Sequence, residues 1–219
     1  MKPQRPSRSA ALAQYRRRAG IYDLELALLE PVRRRAIAKL APRAGDVVLD
    51  VGCGTGLSFA MLRKAVGPRG RIIGIEQSPE MIERARQRVA RHRWTNVVLV
   101  CSPVESADIP VAGDAALFHF THDILRRPRA IDNVVSHLKP GARVVASGLK
   151  WAGGWNWPAN IFVLPAALHS VTSLEGLSHP WSELRKRLDT LEVRSTLLGG
   201  AYVASGAVGA PLPPQRHVR

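Results

Sequence analysis

The stretch from Val47 to Ser58, VVLDVGCGTGLS, narrows the folds open to this chain more than any other part of it. An apolar run, Val47-Val48-Leu49, leads into Asp50 and Val51. Glycines follow at Gly52, Gly54 and Gly56, and from Leu57 onward the pattern is helical to Val66. Strand, glycine bend and helix form the layout that presents free backbone N–H groups to a ligand. Glycine supplies the positive φ of such a bend and lets a ligand approach the main chain.

Downstream the same alternation repeats. Arg71 to Glu76 reads as a second strand ending in an acid. Ser78 is placed to cap a helix over Pro79 to Arg91, with Met81, Ile82, Ala85 and Val89 as its apolar stripe. Val97 to Val100 is a third strand and Asp114 to Phe120 a fourth. A helix is expected over Ile124 to Leu138, tolerating Pro128 near its start. Lys139-Pro140-Gly141 is a turn, and Ala142 to Ser147 a fifth strand. After the Trp-rich residues 151–157, short helices are expected over Asn160 to Val171 and Trp181 to Leu188. Two late strands follow, Asp189 to Leu197 and Ala201 to Ala204. Strands alternating with helices on this scale imply an α/β fold with a parallel sheet and helices on both faces.

The glycine spacing separates two ligand classes. A dinucleotide bend wants G-x-G-x-x-G, but here the third glycine, Gly56, comes one residue early and Leu57 takes its place. Asp50 would also set a like charge against a pyrophosphate, whereas an acid there suits a cationic amino group. Glu76, at the end of the second strand, can accept both hydroxyls of a ribose. The pattern Asp50-Val-Gly52-Cys-Gly54-Thr-Gly56 resembles motif I of the class I S-adenosylmethionine-dependent methyltransferases, and the resemblance extends over roughly residues 45–205. Lys139-Pro140-Gly141 fits that family's turn before strand five, with Ala142 replacing a second glycine.

The resemblance implies a Rossmann-like, seven-stranded, mostly parallel sheet of order 3-2-1-4-5-7-6 with the last strand antiparallel, and S-adenosylmethionine as cofactor. In that reading Asp50 faces the methionine amino group, and the bend at Gly52, Cys53, Gly54, Thr55 and Gly56 lines the methionine part. Glu76 holds the ribose, Gln77 and Val104 flank the adenine, and His119 lies within reach of the cofactor. Where many relatives carry Asp-Ala after strand three, this chain has Pro103-Val104, so Ser102 or Glu105 is the substitute partner for the adenine amino group.

Methyl transfer from a sulfonium is an in-line displacement, in which the protein supplies position and electrostatics. An amine or hydroxyl acceptor must also lose a proton. The candidates for that role are His119, His122 and Asp123, beside strand four at the sheet edge where open α/β sheets bind ligands. No metal site is expected, because the two histidines have no third ligand at sensible spacing. Tyr15 and Tyr22, in basic N-terminal helices, and Trp151 and Trp155, after strand five, are candidates for contact with the acceptor. The Asn/Asp-Pro-Pro-aromatic turn of base-amino methylation and the cysteine of C5 methylation are both absent after strand four. These features favour a methyltransferase acting at nitrogen or oxygen of a small-molecule or lipid-headgroup acceptor, with no sequence-specific nucleic acid as partner. The Tyr22-Asp23 pair is also similar to small bacterial lipid-amine methyltransferases. The alternatives are an RNA methyltransferase and a non-catalytic module that binds anionic partners.

Length and charge set the remaining bounds. The 219 residues, 46% hydrophobic, suffice for one domain with a substantial core. The expected layout is a disordered N-terminus over 1–9, basic helices over 10–43 acting as a lid, the main domain over 44–205, and a loose tail over 206–219. Residues 1–43 hold eleven Lys/Arg against three acids, about half of the net charge of +15. Contact of these helices with an anionic membrane is one reading of that charge; a solvated helix face is the other. Cys53 and Cys101 are too few for a disulfide framework. No span reaches the roughly 18 apolar residues of a membrane helix, and the expected location is cytoplasmic, with peripheral membrane contact as an option.

Overall fold

The structure, a computed structural model, describes residues 29–161, 163–164 and 174–209. The expectations for residues 1–9, for the helices from Ala10 with Tyr15 and Tyr22, and for the tail past 209 fall outside these. In order, the elements are α1 (Glu30–Leu40), β1 (Val47–Val51), α2 (Phe59–Val66), β2 (Arg71–Glu76), α3 (Pro79–Arg91), β3 (Val97–Cys101), β4 (Gly113–His119), α4 (His122–Leu125), α5 (Pro128–Ser136), β5 (Leu138–Leu149), α6 (Ser182–Arg185), β6 (Thr190–Thr196) and β7 (Ala201–Ala207). Short 3-10 helices cover Val104–Ser106 and Gly154–Ala159. The strands form one sheet in the order β3-β2-β1-β4-β5-β7-β6. Only β7 is antiparallel, to β5 on one side and β6 on the other. This is the implied class I methyltransferase topology.

Strand side chains alternate between faces, and that alternation positions the site. On β1, Leu49 and Val51 enter the core under α5 and α6. Val48 enters the opposite core, under α1, α2 and α3, and Asp50 shares its face. On β4, Ala115 and Leu117 lie on the α1 side, so His119 does too. On β5, Val145 lies there, and Ser147 follows. The register pairs Asp50 with Leu117 and His119 with Ser147. The C-terminal ends of three adjacent strands therefore carry polar groups toward α1. That helix packs against β4, β5 and β7 through Val32, Ala36, Ile37 and Leu40, all buried.

The structure departs from the sequence expectations at identifiable residues. The helix expected over Ile124 to Leu138 is two helices, because a residue before proline is driven out of the helical region. Arg127 is extended, at φ −106° and ψ 102°, and α5 restarts at Pro128. β4 stops at His119 because Phe120 has φ +56°. β5 starts at Leu138, so Lys139-Pro140-Gly141 sits inside the strand as an irregularity: Gly113 pairs with Leu138 but Ala115 with Arg143. Lys139 Nζ pairs with Asp114 Oδ1 at 2.7 Å, and Asp114 Oδ2 accepts from Val47 N at 2.8 Å, fastening that irregularity to the start of β1. The helix expected over Trp181 to Leu188 is only the single turn α6.

The hairpin between β6 and β7 turns through Leu197 and Leu198, at φ +50° and +52°. Such turns favour an Asn-Gly pair, because each L-residue with a Cβ loses roughly 1–2 kcal/mol in the left-handed region. Both leucines are exposed, Leu198 to 77%, so no packing offsets the strain. The double substitution Leu197→Asn with Leu198→Gly is expected to stabilise the fold by about 1 kcal/mol, strain relief less the entropy of the added glycine. Urea unfolding of the two proteins measures this; equal midpoints would mean the turn is relaxed as it stands.

Candidate functional site

Two clefts open at the C-terminal edge of the sheet, with Gly52 and Gly54 as their common wall. The larger is lined by Glu76, Gln77, Val104, Phe120, His122 and Asp123 among others. The smaller is lined by Arg33, Asp50, Cys53, Thr55, Leu57 and His119 among others. The structure thus gathers most of the residues singled out from sequence around one bend.

The bend itself corrects an expectation. Four of its N–H groups are taken up within the protein. Gly52 N and Cys53 N both donate to Ile75 O, at 2.8 and 3.0 Å. Gly54 N donates to Glu76 Oε2 at 3.1 Å, and Gly56 N to Cys53 O at 2.9 Å. A phosphate cradle needs such donors unengaged. The glycines also answer to packing within the protein. A Cβ on Gly52 would lie 2.5 Å from Thr121 Cγ2, and one on Gly56 would lie 2.4 Å from the Phe59 ring.

What the bend offers instead is carboxylate. Glu76 is 9% exposed and bridges the bend to α3: Oε1 accepts from Ser78 N at 2.9 Å while Oε2 holds Gly54. Burial raises its pKa, and the N–H groups of Ser78, Gly54 and Gln77 oppose that rise. Each carboxylate oxygen keeps a second lone pair, so Glu76 can serve a pair of hydroxyls while it holds the bend. Asp50 is 2% exposed, and its Oδ2 is buried without a hydrogen-bond partner. Burial pushes its pKa up to about 7; Arg33 works against this and Glu76 adds to it. Such a carboxylate is poised to take a cation.

Sequence reasoning does not single out Arg33 as a site residue. It lies in the Arg33-Arg34-Arg35 cluster, whose charge reads as a solvated face or as contact with an anionic membrane rather than as part of a site. Arg34 is indeed 72% exposed at its side chain, but Arg33 is only 4% exposed there. The available signal is position, since Arg33 precedes Ala36, Ile37 and Leu40 by three, four and seven residues, the spacing of a buried helix stripe. It pairs with Glu30 one turn earlier and faces Asp50 and His119 across the smaller cleft.

The histidines differ in setting. His119 Nδ1 lies 2.7 Å from Ser147 Oγ, and its Nε2 is buried without a partner. Burial, with Arg33 adding to it, pushes its pKa down to about 3, so the ring is neutral and weakly basic. His122 Nε2 lies 2.9 Å from Glu175 O. A carbonyl only accepts, so the proton sits on Nε2. Burial lowers the pKa of His122, opposed by the Glu175 carbonyl and Asp123. The neutral ring therefore carries its lone pair on Nδ1, which has no partner. Asp123 Oδ1 and Thr121 Oγ1 are likewise buried without partners beside the same cleft. The left-handed backbone at Phe120, which no sequence signal marks, turns this segment inward.

Other predicted residues stand elsewhere. Ser102 lines neither cleft, and its hydroxyl donates to Pro103 O at 3.1 Å. Glu105 lines the larger cleft, held by Arg127 at 3.0 Å. Asn133 pins the Val104 turn to α5 through bonds to the carbonyls of Val104 and Ala107, at 2.7 and 3.0 Å. Trp151 packs with Leu149 and Leu177, outside both clefts, and Trp155 is fully exposed. Among the described residues no group of three or more His, Cys, Asp or Glu could hold a metal ion.

The chain is similar to known methyltransferases in part of its sequence and in fold. A family described as a methyltransferase domain matches residues 48–141. The arsenite methyltransferase of Halobacterium salinarum is 33% identical over 117 residues, 52% of this chain and 29% of that protein. The malonyl-[acyl-carrier protein] O-methyltransferase of Serratia marcescens is 28% identical over 144 residues, 65% of this chain and 54% of that protein. The chain thus spans only about a third to a half of the length of these curated relatives. Among solved structures, the N-methyltransferase NodS of Bradyrhizobium japonicum, in complex with S-adenosyl-L-homocysteine, superposes with a TM-score of 0.59 at 20% identity. That match covers 82% of this chain and 87% of NodS.

The buried carboxylate sets a pH dependence. In the free protein Asp50 is protonated below about 7, and a cationic amino group must displace that proton. Affinity for S-adenosylmethionine is therefore expected to rise about tenfold per pH unit up to about 7 and then level off. Asp50→Asn should be weaker at neutral pH and flat across that range. Titration calorimetry from pH 5.5 to 7.5, on the order of the window set by this shift, checks both; a flat wild-type profile would place the amino group elsewhere.

Proposed function

We propose that this chain, whose residues 48–141 match a methyltransferase-domain family, is a class I S-adenosylmethionine-dependent methyltransferase that transfers a methyl group to nitrogen or oxygen of a small-molecule or lipid-linked acceptor. The observation that carries this reading is the glycine bend. The N–H groups of Gly52, Cys53, Gly54 and Gly56 are engaged within the protein, and two buried carboxylates, Asp50 and Glu76, stand on either side of it. Such a wall rejects phosphates and accepts a ligand with cationic and hydroxyl groups.

The residues fit the cofactor part by part. Asp50 would hold the amino group and Arg33 the carboxylate of its methionyl end, an acid and a base matched to a zwitterion. Glu76 would hold the ribose, with Gln77, Val104 and Glu105 around the base. When bound, the cofactor supplies a methyl group activated by a sulfonium. The chain's task is then to place the acceptor, exclude water and take up a proton. His122 is the group proposed for the last role, because Glu175 fixes its tautomer with Nδ1 unprotonated. His119, pushed down to about 3 and held at Ser147, is assigned to the cofactor wall.

Titration calorimetry with S-adenosylmethionine, followed by a mass-detected screen of amines, phenols, lipid headgroups and RNA, tests the reading. Absence of cofactor affinity would remove it, and methylation of RNA alone would replace the acceptor class. Glu76→Ala is expected to weaken cofactor binding by about 1–3 kcal/mol, the cost of leaving buried partners unpaired. His122→Gln should keep cofactor affinity and lower kcat by about 10²–10⁴-fold where the acceptor must lose a proton. An unchanged kcat would assign the proton to solvent.

A further inference from the structure

The β6–β7 hairpin tip and the Trp-rich turn form one exposed apolar surface. Leu197 and Leu198, 48% and 77% exposed, occupy the tip in a backbone conformation that disfavours them. Strain held where no packing requires it points to a role outside the fold. The tip adjoins the 3-10 turn Gly154–Ala159: a Cβ on Gly199 would lie 3.5 Å from Ala152 and 3.7 Å from Asn156, and one on Gly200 would lie 2.6 Å from Val163. That turn and the residues after it carry Trp155, 100% exposed, Trp157, Ile161 and Leu164. Neither 150–164 nor 193–219 contains an acid. The rim is basic: Arg35 reaches from α1 to Thr196 beside the tip, and Lys150 donates to Trp151 O. Glu192, the carboxylate of β6, is taken up by Lys39 and Arg194.

We propose that the Leu197–Leu198 tip and the Trp155–Trp157 turn dock this protein on an anionic phospholipid surface. A Trp standing clear of every neighbour, beside a protruding pair of leucines, suits the boundary between headgroups and acyl chains, where indole rings gather. Basic rim residues and the net charge of +15 supply the attraction to anionic lipid. A protein partner would call for flatter, better-packed apolar area. The tip lies on the sheet edge that holds both clefts, since Leu149 at the end of β5 pairs with Ala201 at the start of β7. Docking therefore turns the clefts toward the lipid. The inference does not rest on the methyl-transfer assignment.

The test is co-sedimentation of the full chain with vesicles of phosphatidylcholine alone or mixed with phosphatidylglycerol. Binding is expected to be about tenfold or more tighter to the mixed vesicles, with tryptophan fluorescence quenched by brominated acyl chains. Leu197→Asn with Leu198→Gly should lower partitioning about tenfold, in keeping with the apolar area removed from the bilayer. The same variant should keep its cofactor affinity and unfold no earlier than the parent, which separates lost docking from lost structure. Undiminished partitioning of the variant would overturn the proposal. So would a wild-type dimer that the variant breaks, which would assign the surface to a second copy of the chain.

Discussion

A carboxylate buried with one oxygen unanswered is the constraint to which the rest of the site conforms. Asp50 cannot be where it is unless something offsets its desolvation. In this protein three things do so in part. Its pKa rises toward neutrality, Arg33 approaches from α1, and the smaller cleft leaves space for a cation. Glu76 adds a second carboxylate close by, but one that its backbone bonds hold in place. The two acids thus divide the work. One is fixed by the fold and defines the bend, while the other is left for a ligand to complete.

Strand alternation turns that constraint into architecture. Asp50, His119 and Ser147 come from three strands that are neighbours in space but distant in sequence. They meet because each sits an even number of residues from an apolar side chain on the α1 face. The same rule sends Val51 and Phe118 into the opposite core. A slip of one residue in any of these strands would send the polar group into that second core.

The sequence discloses these features unevenly. The bend, Glu76, the N-cap at Ser78 and the whole of α3 are legible, since glycine, acid and cap residues act locally. The strand order follows from family resemblance, because pairing between distant strands leaves little local trace. The engagement of the bend's N–H groups depends on Ile75 in another strand, which spacing does not show. Phe120 gives no warning, as its left-handed backbone is imposed by its surroundings. Pro128 is visible yet reads as tolerable within one helix, whereas the extended Arg127 before it splits that helix in two. Arg33 is hidden by its charged neighbours, although its place on the helix stripe gives it away.

Placing Arg33 on α1 couples assembly to recognition. The eleven residues of α1 cover the β4, β5 and β7 part of the sheet and at the same time supply the cation of the smaller cleft. A helix advances about 100° per residue, so a single residue inserted or deleted between Arg33 and Leu40 would swing that guanidinium away from the cleft. It would also turn Arg34 or Val32 toward the acid. Drift in length, harmless in most surface helices, is thereby penalised twice over here, through loss of hydrophobic cover and through loss of the counter-ion.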